Sequence, residues 1–302
     1  MPATASLRAL LAHSIDYAGM FPPCSLSLES ALNNQAQYVR SSDSWMLSTF
    51  VLPVAKFDDA VAFLSAFDKP HPLRVSALGP KVEKAGDFIP AVRETAEKIR
   101  SFEAHVPIFA VAQLEMFLPG DINLTGLNEA AALLSGLKVQ VFWEAPAEAV
   151  EKTIALLARA KQPAFGYKLR TGGVTADAFP TSTQIATALL AAAKNHIPMK
   201  LTAGLHHPIR RFREEVNTTM HGFLNVLGAD VLATEHHWDE GPTIEMLDDE
   251  DAGAFSFHDT VFSWRDWEIT MDRIKARRKF ITSFGSCSFD EPREDLRALN
   301  LL

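Results

Sequence analysis

The chain has 302 residues, 47% hydrophobic and 22% charged, the balance of a globular protein that buries a full core without disulfides or metal. Its 29 Lys and Arg against 37 Asp and Glu leave a net charge of −8, which excludes a general binder of nucleic-acid phosphates, since such binding needs clustered positive charge. The length fits two average domains or a single α/β barrel with extensions.

Residues 1–13 carry one arginine and a short apolar run, too short to span a membrane and without the charged start and cleavage pattern of a signal peptide. The two cysteines, Cys24 and Cys287, lie far apart in sequence and encode neither a disulfide framework nor a zinc ribbon. Both features point to a reducing, cytoplasmic location.

Seven short segments rich in Val, Ile, Phe and Leu read as strands: 14–19, 45–52, 74–79, 108–117, 139–144, 165–170 and 199–203. Between them, helical periodicity predicts helices over 27–38, 58–67, 90–102, 127–134, 147–160 and 183–195. Strict β-then-α alternation leaves a closed barrel or an open doubly wound sheet, and seven or eight such units favour closure into a (β/α)₈ TIM-type barrel. That barrel is expected to be a single domain spanning 1–302.

The last third is less regular. Residues 223–234 read as a helix or as hiding the eighth strand near 230–234, 255–264 as a small hairpin, 272–284 as an amphipathic helix and 290–302 as a terminal helix or tail. Residues from about 211 to 302 are thus expected to include a helical and hairpin extension. The basic run from Arg273 to Lys279 reads as a solvated helix face.

In such barrels the reacting groups come from the C-terminal ends of the strands, so charged residues closing apolar strands carry the information. Asp16, Glu115, Glu144, Lys168 with Arg170, and Lys200 are of this kind. Strand alternation puts Lys168 and Arg170 on one face, and Lys200 and Thr202 on one face, so one register turns each pair inward. Inward lysines need partners, which Glu115, Glu144 and Asp16 can supply. A neighbouring cation and desolvation are each expected to lower a lysine's pKa and so free a nucleophilic amine. Against this stands the ordinary outcome, in which a strand-end lysine snorkels to water.

Two segments, Tyr167-Lys168-Leu169-Arg170-Thr171-Gly172-Gly173 and Lys200-Leu201-Thr202-Ala203-Gly204-Leu205, resemble the paired lysine motifs of the deoxyribose-phosphate aldolase family. Ile15-Asp16-Tyr17, Gln113-Leu114-Glu115-Met116 and the strand ending at Glu144 are similar to further segments of that family, and the resemblance runs from Leu10 to about Arg210. It implies a class I aldolase barrel without a cofactor, in which a lysine forms a Schiff base with a small carbonyl substrate. Lys168 would be the nucleophile, Lys200 the second cation that depresses its pKa, and Glu115, in place of the family's Asp, the acid/base partner. Asp16, Glu144, Arg170, Thr171, Gly172, Gly173, Thr202 and His206 are then expected to bind substrate. Gly204-Leu-His-His-Pro208 stands where the family has a phosphate-gripping turn, which leaves Arg170, Thr171, Gly172 and Gly173 to hold a carboxylate or a phosphate and keeps both non-phosphorylated hydroxy-ketones or hydroxy-acids and phosphorylated sugars as substrate classes.

His206-His207 and Glu235-His236-His237 offer an alternative, a divalent-metal site completed by Glu115 or Glu144 and serving a metal-dependent lyase or hydrolase. Adjacent histidines point in opposite directions, and no metal motif such as His-Glu-x-x-His occurs. Beyond the Lys200 strand, His206 is a candidate acid or base, and His221 a second if its segment folds over the barrel mouth. Trp143, Phe142, Phe165 and Phe223 sit at core spacing. A third reading is a barrel that holds a small anion by charge without catalysis. Partners in every case are small molecules, not nucleic acid or membrane, and self-association into a homo-oligomer stays open.

Overall fold

The structure, a computed structural model, describes residues 3–302. Met1 and Pro2, which begin the segment read above as lacking a signal peptide, lie outside the described residues. All seven expected strands form: β1 (Ile15–Tyr17), β2 (Leu47–Pro53), β3 (Leu73–Leu78), β4 (Phe109–Phe117), β5 (Gln140–Glu144), β6 (Phe165–Arg170) and β7 (Met199–Thr202). A short helix α1 (Ala5–Leu11) precedes them. Between them run the crossover helices α2 (Leu28–Tyr38), α3 (Phe57–Ala60, continued as a 3₁₀ turn over Val61–Ala66), α4 (Ala85–His105), α5 (Leu124–Leu134), α6 (Val150–Ala160) and α7 (Ser182–Asn195). The last of these starts on a capping box: the Thr181 hydroxyl accepts from the Gln184 backbone N–H, and the Gln184 side chain accepts from that of Thr181. That fixes the helix leading into the Lys200 strand.

The C-terminal third both completes the barrel and adds to it. A small hairpin of β8 (Arg211–Arg213) and β9 (Thr218–Met220) leads into α8 (Phe223–His236), followed by α9 (Glu240–Asp248). A three-stranded meander comes next, β10 (Phe255–Phe257), β11 (Val261–Trp264) and β12 (Trp267–Thr270), then α10 (Met271–Arg277), β13 (Ile281–Ser286) and α11 (Asp290–Ala298). The eighth barrel strand is β13, which pairs in parallel with β1 and β7 and closes the barrel in the order β1-β13-β7-β6-β5-β4-β3-β2. Among the described residues no helix is long and apolar enough to cross a membrane.

Three expectations for this third are corrected. Residues 230–234 belong to α8, whose every residue from Phe223 to Ala233 is buried. Packed on the barrel and covered by α9, α10 and the meander, this helix shows no polar face and so no helical stripe. Residues 272–284 are not one helix: α10 ends at Arg277, and the chain then enters β13. The hairpin at 255–264 gains a third strand, β12. Within the basic run, Arg273 and Arg277 pair with Glu235 on α8, with their nitrogens 2.8 Å from its Oε2.

Asp230 is the acidic residue of the buried stretch of α8, near Arg278 and the Ile281 backbone, and its Oδ2 has no hydrogen-bond partner. Burial outweighs both neighbours and pushes the carboxyl from 3.8 up to about 7. The folded chain therefore holds a proton that the unfolded chain releases, and stability drains as pH rises from 3.8 to 7. A displacement of that size corresponds to about 4 kcal/mol above pH 7. Asp230→Asn is expected to raise Tm at about pH 8 and to leave it nearly unchanged at about pH 4. Equal effects at the two pH values in thermal melts would contradict this account of the helix.

Candidate active site

Period-2 alternation decides what fills the barrel. The even-numbered positions of β1, β3, β5, β6 and β7 face inward, as do the odd-numbered positions of β4 from Gln113 on and of β13 from Ser283 on, each beyond a register shift in its ladder, which brings Asp16, Ser76, Gln113, Glu115, Phe142, Glu144, Lys168, Lys200 and Ser283 towards one axis. Phe142 lies below, with Lys200 Nζ 6.0 Å from its ring. It fits because Gly166 on the neighbouring strand has no side chain: a Cβ there would stand 2.8 Å from the Phe142 ring. The outward aromatics pack on helices. Trp143 sits 5.3 Å from both Phe88 and Phe165, and Phe223 stacks on Phe284, so the four aromatics expected in the core are there.

Above Phe142 lies a two-tier charge network. In the lower tier Lys200 Nζ, with 0% side-chain exposure, reaches Asp16 Oδ2 at 2.8 Å, Glu115 Oε1 at 2.6 Å, Gln113 Oε1 at 2.6 Å and Ser76 Oγ at 3.1 Å. The other Asp16 oxygen accepts from the backbone N–H of Thr49 at 3.0 Å and from its hydroxyl. In the upper tier Lys168 Nζ lies 2.7 Å from both Glu115 Oε2 and Glu144 Oε2. Glu115 is the shared member, with one carboxylate oxygen on each lysine and Ser76 donating to Oε1 at 2.6 Å.

Burial alone would raise the Glu115 pKa, but the two lysines outweigh it and hold the carboxyl down at about 2. Burial likewise pushes Lys168 down, and the adjacent Glu115 and Glu144 carboxylates overcome it, so its pKa is raised above the ordinary 10.5. The expected depression of Lys168 by Lys200 is therefore corrected for the resting site. Glu115 stands between the two ammonium groups and neutralises the repulsion that would have lowered it.

A cavity of about 330 Å³ opens over the upper tier at the C-terminal ends of the strands, touching Glu115, Lys168, Arg170, Gly173, Thr202 and His206. Apolar residues of the β1–α2 loop, Phe21, Pro22 and Pro23, make its opposite wall. A groove at the other end of the barrel, about 480 Å³, opens beside His13, His71 and Arg74, away from the paired charges and from the end where barrels do chemistry.

The expected binding residues divide. Arg170 is exposed at the cavity edge, and Gly173, Thr202 and His206 line it. Glu144, 17% exposed, reaches Lys168. Asp16 lies fully buried beneath Lys200 and orients it; it does not line the cavity. Thr171 is a buried strut whose hydroxyl donates to the Thr202 carbonyl at 3.2 Å and to that of Ala203 at 2.5 Å. Gly172 sits where the turns after β6 and β7 meet, and a Cβ there would stand 2.8 Å from the Gly204 Cα. Gly204 adopts φ +77 with the Thr171 carbonyl against it, a place only glycine fills without strain. Lys200 itself does not line the cavity.

The histidines do not gather. His206 Nδ1 lies 3.1 Å from Glu291 Oε2, and His207 Nδ1 lies 2.5 Å from Asp295 Oδ2, both carboxylates on α11. His236 and His237 end α8, which starts beside the His207 carbonyl and runs 14 residues, about 20 Å, away from it. Among the described residues no three His, Cys, Asp or Glu side chains converge as metal ligands. Buried His221 is held by the Pro180 carbonyl at 2.7 Å and by Arg210 at 3.0 Å, outside the cavity lining.

Sequence reasoning missed Gln113, Ser76 and Thr49, which complete the shell of Lys200 and Asp16, and it missed the loop carrying Phe21 to Cys24. It also separated the cysteines, whose sulfurs lie 2.8 Å apart on the rim of the mouth. Compared as a sequence, the chain matches no family model and gives no significant match to a curated protein.

Proposed function

We propose that the protein is a lyase of the Schiff-base aldolase type, acting in the cytoplasm on a small carbonyl compound, with Lys168 as nucleophile. One observation carries this reading: a buried lysine at the mouth of the barrel shares a carboxylate, Glu115, with a second buried lysine, directly beneath a cavity of substrate size. Structural ion pairs rarely sit at the floor of an open cavity, and strongly perturbed groups in such a place mark reactive sites.

The chemistry follows from the short contacts. As a carbonyl carbon approaches, Lys168 Nζ passes a proton to Glu115 Oε2 across 2.7 Å. Losing the Lys168 charge removes one of the two cations that hold Glu115 down, so its affinity for that proton rises in the same step. The neutral amine adds to the carbonyl, Glu115 returns the proton to the carbinolamine oxygen, and water leaves. The resulting iminium regains the positive charge between Glu115 and Glu144 and draws electrons from the adjacent carbon–carbon bond while Glu144 takes the proton of the β-hydroxyl group; the bond breaks to a carbonyl product and an enamine, Glu144 returns that proton to the enamine carbon, and water hydrolyses the iminium to free Lys168. Lys200, held by Asp16, Gln113 and Ser76, keeps Glu115 in place throughout. Arg170 at the rim offers a carboxylate or hydroxyl group a charged anchor.

Glu115 titrates near 2 and Lys168 above 10.5. Internal proton transfer between them leaves no group of the pair to titrate near neutrality. In a retro-aldol screen of hydroxy-ketones and hydroxy-acids, kcat/KM for the best substrate is expected to vary by less than roughly threefold between about pH 6 and pH 9. A limb in that window that survives His206→Asn would mean a lysine with a lowered pKa and would sink the internal-transfer mechanism.

A further inference from the structure

Cys24 and Cys287 are 263 residues apart in sequence, yet their sulfurs face each other at 2.8 Å on the rim of the barrel mouth. Both are free thiols. Cys24 is exposed and follows Pro22 and Pro23, two residues of the cavity wall. Cys287 is buried immediately after β13, itself lines the cavity, and is covered on its far side by His206, whose Nδ1 lies 3.9 Å from its sulfur. The pair thus joins the loops after the first and the last barrel strands just beyond the end of their shared ladder, where the Ala18 N–H donates to the Ser286 carbonyl at 2.7 Å. Burial, together with the contact to Cys24, pushes the Cys287 thiol up to about 12.

We propose that Cys24 and Cys287 form a reversible redox-active dithiol site, oxidised by hydroperoxides to a disulfide that clasps the β1–α2 loop over the barrel mouth. The asymmetry sets the order of events. The exposed Cys24 meets the oxidant: its thiolate attacks the peroxide, the O–O bond breaks, the leaving oxygen takes a proton from water, and Cys24 becomes a sulfenic acid. The Cys287 sulfur then attacks the Cys24 sulfur, the S–O bond breaks, and hydroxide leaves as water with the Cys287 thiol proton. Two thiols give up two electrons, and hydrogen peroxide becomes two waters. A low-molecular-weight thiol reverses the reaction by exchange. The sulfurs need only a small closing motion to reach the ~2.05 Å of an S–S bond. The inference rests on the two thiols and not on the Schiff-base reading.

The test treats the full-length, folded protein with hydrogen peroxide, blocks remaining thiols by alkylation, and maps peptides without reduction. The expected result is a loss of two hydrogens in intact mass, a Cys24–Cys287 linked peptide, and full reversal by dithiothreitol. Cys287→Ser is expected to stop at a Cys24 sulfenic acid that a dimedone probe captures, and Cys24→Ser to leave Cys287 unoxidised until the protein is denatured. Over-oxidation of Cys24 in the wild type without the linked peptide would overturn the proposal. So would a linked peptide that forms only in denaturant.

Discussion

Lys168→Met is expected to lower turnover by roughly a thousandfold or more while leaving a folded barrel. The nucleophile is gone, and among the described residues no other amine lines the cavity, since Lys200 lies beneath Glu115 with 0% side-chain exposure. The structural cost stays moderate, about 1–3 kcal/mol, because Glu115 keeps Lys200 and the partly exposed Glu144 turns to water. Lys168→Arg separates chemistry from charge. A guanidinium restores the ion pairs and the stability but forms no Schiff base, so turnover stays absent. A site that merely held an anion by charge would bind its ligand equally well in the Lys168→Arg variant. Circular dichroism and urea unfolding report the fold, and turnover of the best substrate reports the chemistry.

Lys200→Met is expected to be the most destabilising single change in the barrel, by about 3–5 kcal/mol in urea unfolding. It strands Asp16, which is fully buried and pairs with no other cation among the described residues, and removes one of the two charges on Glu115. Removing both members is far milder, so Lys200→Met with Asp16→Asn is expected to recover at least half of the loss. The same network sets the acid limit of the fold. The Glu115 carboxyl is held at about 2 against an ordinary 4.5, so the unfolded chain binds its proton first. That contribution is complete above pH 4.5 and drains as pH falls towards 2. A single Lys200→Met variant with wild-type stability would mean that Asp16 and Lys200 are not the buried pair described.

The barrel was legible where its strands are apolar runs closed by a charge. Segments such as Val141-Phe-Trp-Glu144 and Phe165-Gly-Tyr-Lys168 have no stable place except a sheet buried on both faces. Strand β13 escaped because its inward positions, Ser283 and Gly285, are small and polar, and because the amphipathic turns of α10 run straight into it. Helix α8 was ambiguous for the opposite reason: with every side covered, it carries no periodicity to read. In the site, Asp16, Glu115, Glu144, Lys168 and Lys200 were legible as a set because charges inside apolar strands must find each other. Gln113, Ser76 and Thr49 were not, since an uncharged polar residue in a strand looks the same whether it faces lysine or solvent. The direction of the Lys168 shift was misjudged because it depends on Glu115 lying between the two lysines, a matter of geometry that spacing does not carry.

The central claim is that Lys168, and not Lys200, makes the covalent bond to substrate. Reducing the protein with borohydride in the presence of a panel of small aldehydes and ketones, then locating the adduct by peptide mass spectrometry, tests it directly. The expected result is a single adduct on Lys168, absent from Lys168→Arg and retained at a lower level in Glu115→Gln. An adduct on Lys200, or none on either lysine across the panel, would contradict the account.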